Sequence, residues 1–112
     1  MSKYHAKKQS IGNLVFDSKK EAMRWLELEK MQRDGLISDL RQQVKFELLP
    51  NQRGADGKVI ERAVHYIADF VYTKNGETVV EDVKGYRRGR AYDVFVLKRK
   101  LMLQKGYRVR EV

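Results

Sequence analysis

Two short stretches of the chain carry residues that can do chemistry together: Tyr66–Tyr72, read YIADFVY, and Val79–Gly85, read VVEDVKG. Between them Asn75-Gly76 is a strong signal for a two-residue hairpin turn. With those two residues as the loop, Lys74 pairs with Glu77, and pairing in step brings Asp69 opposite Asp82. Directly opposed side chains have Cβ atoms roughly 4.5–5.5 Å apart. Two carboxylates so placed repel, so either one is protonated or a cation sits between them. A hard divalent ion with oxygen ligands resolves the conflict, with Mg2+ as the default and Mn2+ as an alternative. Side chains alternate along a strand, so Lys84 shares the face of Asp82, among Ile67, Val71 and Val80. Glu81 points to the other face, opposite Phe70, and is the poorer metal ligand despite its acidity.

This set suits phosphodiester hydrolysis. A bound ion neutralises a phosphate oxygen and lowers the pKa of a bound water. An ammonium beside it positions that water or stabilises charge developing on the phosphoryl oxygens. The segment after Lys84 supplies cations for a nucleic-acid backbone: Arg87, Arg88 and Arg90 in a glycine-flanked loop, then Lys98 and Lys100 in a helix. A solvated helix face explains the two lysines equally well.

These residues need elements to hold them. Asn13–Phe16 reads as a short strand, after a polar, basic arm over residues 1–10. Ser18 is a good N-cap, with Glu21 three residues on as in a capping box. Ala22, Trp25, Leu26, Leu28 and Met31 continue at helical spacing to a stop at Gly35. The capping box alone accounts for Glu21. Yet Glu21 shares a helix face with Trp25 and Leu28, which aims it at packed material.

Residues 36–49 read as extended, Asn51–Gly57 as a loop, and 61–73 as a strand with Tyr66, Ala68, Phe70 and Tyr72 on one face. Residues 77–83 form the return strand. Tyr92–Gln104 reads as a helix with Val94, Leu97 and Leu101 at heptad-like spacing, and Tyr107–Val112 as a last short strand. The order is helix, three strands, helix, strand, an α/β arrangement of a mixed β-sheet flanked by helices.

At 112 residues the chain is read as one domain. There is no cysteine, which excludes a disulfide framework and a thiolate zinc site. The start lacks an apolar signal core and no apolar run reaches the ~20 residues of a membrane span, so the expectation is a soluble cytoplasmic protein without a membrane partner. The net charge is +9 and lies late in the chain. Residues 1–83 hold 14 Lys/Arg against 13 Asp/Glu, whereas residues 84–112 hold 10 against 2. A one-sided basic segment suits a polyanion, most commonly nucleic acid.

Asp69 followed a hairpin later by Asp82-Val83-Lys84 resembles the PD-(D/E)XK motif, and the element order resembles the restriction-endonuclease-like core. The wider pattern resembles a family of short phage and prophage proteins of unassigned function. It runs from FDSKKEAMRWLELEKMQRDGLISDLRQQVKFELLP through YIADFVY and VVEDVKG to a lysine-rich helix. The resemblance implies that Asp69, Asp82 and the main-chain carbonyl of Val83 bind the metal and that Lys84 is the catalytic lysine. Glu21 would match the acid that a helix before the sheet supplies in many members, binding the ion directly, through water, or holding a second one. Ala68 replaces the proline of the motif, and Asp82 its commoner glutamate; both variants occur in the superfamily.

The expected function is therefore a Mg2+-dependent DNA endonuclease. Branched DNA, as in a Holliday junction resolvase serving phage recombination or replication, is favoured by family-level analogy and by the limited surface that a 112-residue domain offers for reading sequence. For a phage-encoded protein the compartment is the bacterial host cytoplasm. Cutting two strands calls for two sites, which a homodimer would supply. The alternative is a non-catalytic basic DNA-binding module, and a third reading is a basic interaction subunit of a phage particle. Gln43 falls in the family-like segment and is a candidate to approach the site, with no role assigned. His5 and His65 lack zinc-ligand spacing, and Trp25, Tyr66, Phe70 and Tyr72 read as core.

Overall fold

A computed structural model describes residues 8–85 and 87–112. His5 and most of the expected N-terminal arm lie outside the described residues. Where the arm can be followed, Gln9–Ile11 forms β1, paired antiparallel with β2 (Leu14–Phe16). The ribbon therefore begins earlier than the sequence pattern indicates.

Helix α1 spans Lys19–Arg33. Ser18 caps it in extended conformation, its hydroxyl accepting from the Glu21 N–H at 3.1 Å. The helix ends in a Schellman turn: Gly35 takes φ +79° and the Leu36 N–H reaches back to the Met31 carbonyl. Ala22 and Leu28 are buried and Trp25 and Met31 pack beside them, but Leu26 is exposed, off the buried stripe.

Strand β3 (Ser38–Leu49) leads into a small ribbon, β4 (Gln52–Arg53) and β5 (Val59–Glu61), where a plain loop is expected. Strands β6 (Val64–Lys74) and β7 (Glu77–Asp82) form the expected hairpin, with Asn75 and Gly76 at φ +52° and +78°. Both central residues at positive φ match the handedness of a tight hairpin turn. Helix α2 (Arg90–Gln104) crosses to β8 (Val109–Glu111), which runs parallel to β7. The main sheet has the order β3-β6-β7-β8 and is mixed, with α1 and α2 on opposite faces. The fold class is thus α/β, with a mixed sheet and two helices, and its main elements follow the expected α-β-β-β-α-β order.

Alternation along the long strands does not persist as the pattern predicts. On β6, Tyr66 and Ala68 pack with Phe95 and Met102 of α2, whereas Phe70 and Tyr72 pack with Ala22 and Leu28 of α1. On β3, Leu40 belongs to the α1 side and Val44 and Phe46 to the α2 side. Both strands turn over between Gln42–Phe70 and Val44–Ala68, at the level of Gln43 and Asp69. Gln43 has φ +53°, the left-handed region, which rotates the following side chains to the other face. Pairing stays in step across this point, so the two strands twist together.

The inward stripe of α2 is also offset from the heptad reading. Phe95 and Met102 are buried, with Tyr92, Val96 and Leu101 beside them, while Val94 is 52% and Leu97 58% exposed. Apolar residues occur around most of this helix, so spacing alone does not select the face.

Across β7, Glu81 is fully buried on the α1 side, opposite Phe70 as expected. Arg24 grips it with two hydrogen bonds, Nε at 2.8 Å and Nη2 at 2.7 Å, and the Tyr72 hydroxyl donates to the same carboxylate. Burial by itself raises the Glu81 pKa, but the Arg24 and Tyr72 bonds more than offset it and leave the group below its ordinary value. Burial and the Glu81 contact push the Tyr72 hydroxyl up to about 12. Removing one partner of a buried pair strands the other charge, at a cost of about 3–5 kcal/mol. Arg24→Met is expected to lower stability by about 3 kcal/mol, toward the lower end because Arg24 is partly solvated. The double variant Arg24→Met/Glu81→Leu should regain most of that loss, as read by urea unfolding.

Candidate functional site

The backbone ladder between β6 and β7 runs as far as Phe70–Glu81, one step short of Asp69 and Asp82. Beyond that step β7 is tied to the other side. The Val112 N–H donates to the Asp82 carbonyl and the Lys84 N–H to the Val112 carbonyl. The Val83 N–H is left facing β6, where the Asp69 carboxylate accepts it at 2.7 Å. A side-chain oxygen thus replaces a backbone acceptor, as a buried N–H requires. The expected ladder pairing of Asp69 with Asp82 is replaced by this contact, yet the two carboxylates remain neighbours.

Their proximity shows in the pKa of Asp69, which is pushed up to about 7. Burial is the largest cause, followed by the Asp82 charge, and the Glu21 charge adds to it; the Val83 N–H works the other way. Glu21 is buried at the third position of α1, and its pKa is raised by burial, then by the charges of Asp17 and Asp82. Three acids from α1, β6 and the end of β7 therefore sense one another.

Each has a protein partner. The Tyr66 hydroxyl donates to Asp82 Oδ2 at 2.6 Å, and Lys84 Nζ lies 3.1 Å from Asp82 Oδ1. The Lys84 ammonium also sits 3.8 Å from the centroid of the Phe95 ring, a cation–π seat that restricts the side chain. Gln43 Nε2 donates to Glu21 Oε1 at 3.2 Å and to Asp69 Oδ1 at 3.4 Å, bridging the helix and strand acids. With the carboxylates so engaged, no three histidines, acids or cysteines form an ion-binding group among the described residues.

The residues nonetheless fit a hard cation in donor chemistry. Asp69 and Asp82 offer carboxylate oxygens, Glu21 a third, and the Val83 peptide lies between the last two elements of the set. Burial first, and then the charges of Asp82 and Glu21, raise Asp69, and a divalent ion would relieve that crowding of like charge.

The structure brings together Asp69, Asp82 and Lys84, which the hairpin register groups, and Glu21 and Val83, which the resemblance adds; Tyr66 is a contributor that the sequence reading takes only as core, and Gln43 one that it places near the site without a role. Tyr66 is core by burial and also a donor to the site acid. Its hydroxyl pKa is raised, first by burial and then by the Asp82 charge. Gln43 is placed by the strand turnover, whose only sequence trace is two consecutive glutamines in an otherwise alternating strand.

The basic residues divide. Arg87 leans on Glu111 at 3.5 Å, a carboxylate that also receives Tyr92 and Arg99. Arg88 and Arg90 are exposed beside it, Arg90 opening α2. Lys98 is half-buried, whereas Lys100 lines a separate groove with Arg99, Leu103 and Arg108. His65 lies opposite Glu47 and lines a shallow pocket with Asn51 and Arg62, apart from the acids.

The family model described as "Protein of unknown function (DUF1064)" matches residues 1–112, and the chain belongs to that family. No curated protein and no solved structure matches it. Among the described residues no helix is long and apolar enough to cross a membrane.

A raised carboxyl pKa means that the folded state holds its proton more tightly than the unfolded chain. The Asp69 contribution is complete below about 3.8 and is lost as pH rises toward 7. Glu81, with its depressed pKa, acts oppositely and withdraws stability on the acid side of its ordinary value, 4.5. Metal-free protein in EDTA should therefore melt highest near pH 5 and lower at pH 8. Asp69→Asn, which keeps an oxygen for the Val83 N–H, should flatten the fall between pH 5 and 8 in a differential scanning fluorimetry series.

Proposed function

We propose that the protein is a metal-dependent DNA endonuclease built on a restriction-endonuclease-like core. The observation that carries this reading is the close pair of Asp69 and Asp82 where β6 and β7 part, with the Lys84 ammonium on the Asp82 carboxylate. The raised pKa of Asp69 marks a place where burial and then the charges of Asp82 and Glu21 disfavour its ionised form, and such perturbed groups gather at functional sites. The likeness of Asp69 and Asp82-Val83-Lys84 to the PD-(D/E)XK pattern supports the same chemistry.

In this reading Asp69, Asp82 and the Val83 carbonyl hold Mg2+ or Mn2+, with Glu21 completing the set. The ion supplies Lewis acidity toward the phosphate and an activated water. Lys84, beside Asp82 at the same end of β7, would place its ammonium against the phosphoryl oxygens and offset the negative charge that grows there. Phe95 limits where the ammonium can go. Tyr66 holds Asp82 from behind through its hydroxyl, and Gln43 fixes Glu21 against Asp69. The oxygen of a water attacks phosphorus and its proton passes to solvent, while the bond from phosphorus to the leaving strand breaks and the departing oxygen takes a proton from solvent. Branched DNA is the proposed substrate, because a small domain has limited surface for reading sequence and reads shape more readily.

A panel of duplex, single-stranded, flap and four-way junction DNA, with Mg2+, Mn2+ or EDTA, tests the proposal. Cleavage is expected with either ion and not in EDTA. Asp82→Asn and Lys84→Ala should each reduce the rate by at least about 100-fold while leaving DNA affinity in EDTA within a few-fold. Full cleavage by both variants, or none by the parent protein on any substrate, would dispose of the nuclease reading.

A further inference from the structure

The cations expected to hold nucleic acid all lie after Lys84, on the α2 side of the sheet or in the loop leading to it. A second basic surface lies on the other side. Helix α1 rests over the sheet through Arg24 on β7, and β8 is the edge strand beyond it. Because α1 stops short of that edge, a groove of about 630 Å3 opens between the first turns of α1 and β8. Lys19, Lys20 and Arg24 line it from the helix, Arg110 from β8 and Val83 from the end of β7; Glu27 is the acid on its wall. Glu81, beneath Arg24, is the other acid nearby, so four cations face two carboxylates. Met23 and Val112 give it an apolar floor.

The groove is continuous with the site. Val83 lines it while its N–H binds Asp69. Lys20 Nζ donates to the Lys84 carbonyl at 2.7 Å, tying the helix start to the peptide after the site acids. A polyanion that lies across the end of β7 can therefore touch the acids' side and the groove at once.

We infer that this groove binds the sugar-phosphate backbone of the nucleic-acid strand flanking the reactive phosphate, through Lys19, Lys20 and Arg110. The charge balance suits phosphates and the apolar floor suits sugar faces, a combination that gives backbone contact without base readout. The assignment rests on the nuclease reading for the strand's position, but its binding claim is tested separately.

The test is fluorescence anisotropy in EDTA, with a labelled 30-base-pair duplex and a four-way junction, over a KCl series. Lys19→Glu is the main variant. A carboxylate in the first turn of a helix is favoured by the macrodipole, so the change does not threaten α1. Lys19→Ala/Arg110→Ala is the second variant, and Lys58→Glu, in the turn between β4 and β5, carries the same charge change far from the groove. Lys19→Glu and the double variant should weaken binding roughly tenfold and lower the salt slope by about 0.9 for each phosphate that is no longer neutralised. Lys58→Glu should change affinity less than about twofold.

Parental affinity in both groove variants, equal weakening by Lys58→Glu, or no DNA binding by the parent at low salt would each overturn the groove assignment. Loss of binding in the groove variants from a parent that never cleaves would keep the groove and remove the nuclease. A parent that cleaves, with groove variants that bind and cut as it does, would do the reverse.

Discussion

One unpaired backbone group organises this molecule. At the end of β7 the chain must turn its hydrogen bonds toward β8, and the Val83 N–H is left without a strand partner. A buried N–H cannot stay unsatisfied without a cost of about 1–3 kcal/mol. Asp69 satisfies it with a carboxylate, and that bond holds an acid where the strands separate. Asp82, one residue before Val83, is then its neighbour, and the electrostatics of the site follow from this arrangement. Groups that would repel elsewhere are held close by a backbone N–H, which also favours the ionised form of Asp69.

Adjacent acids on β7 meet different fates for the same reason that strands pleat. Glu81 faces α1, where Arg24 and Tyr72 satisfy it and keep it ionised deep in the core. Asp82 faces α2, where a phenol and an ammonium leave it less completely held. The first is an anchor between helix and sheet. The second sits among groups that can exchange partners, because among the described residues the Lys84 ammonium is held by an aromatic ring and one carboxylate oxygen. The two sides of one strand thus separate a carboxylate locked by a guanidinium from one held by a phenol and an ammonium.

The turnover of β3 and β6 at Gln43 and Asp69 has a comparable effect. It moves the core contacts of β6 and β3 from the α1 side at Phe70, Tyr72 and Leu40 to the α2 side at Tyr66, Ala68, Val44 and Phe46. The side chains at the crossing are released from the regular alternation. Gln43 can then reach both Glu21 and Asp69, joining an acid on a helix to one on a strand. Positive φ in a glutamine is unfavourable, and the two hydrogen bonds at that point help offset it.

Much of this was legible in the residues. The turn at Asn75-Gly76 fixed the hairpin register, because only left-handed backbone matches so short a loop, and the register put Glu81 on one face and Asp82 with Lys84 on the other. The cap at Ser18 began α1 and placed Glu21 at its third position. Local rules suffice for such features, since turn and cap energies act within a few residues. Tertiary structure alone decided which stripe of α2 faces inward, because apolar residues surround that helix and only the surface beneath it chooses Phe95 and Met102 over Val94 and Leu97. It also decided that strand alternation breaks at Gln43 and Asp69, that Tyr66 serves Asp82, and that α1 leaves a basic groove beside β8. Those outcomes depend on contacts between segments tens of residues apart, whose energies no local pattern carries.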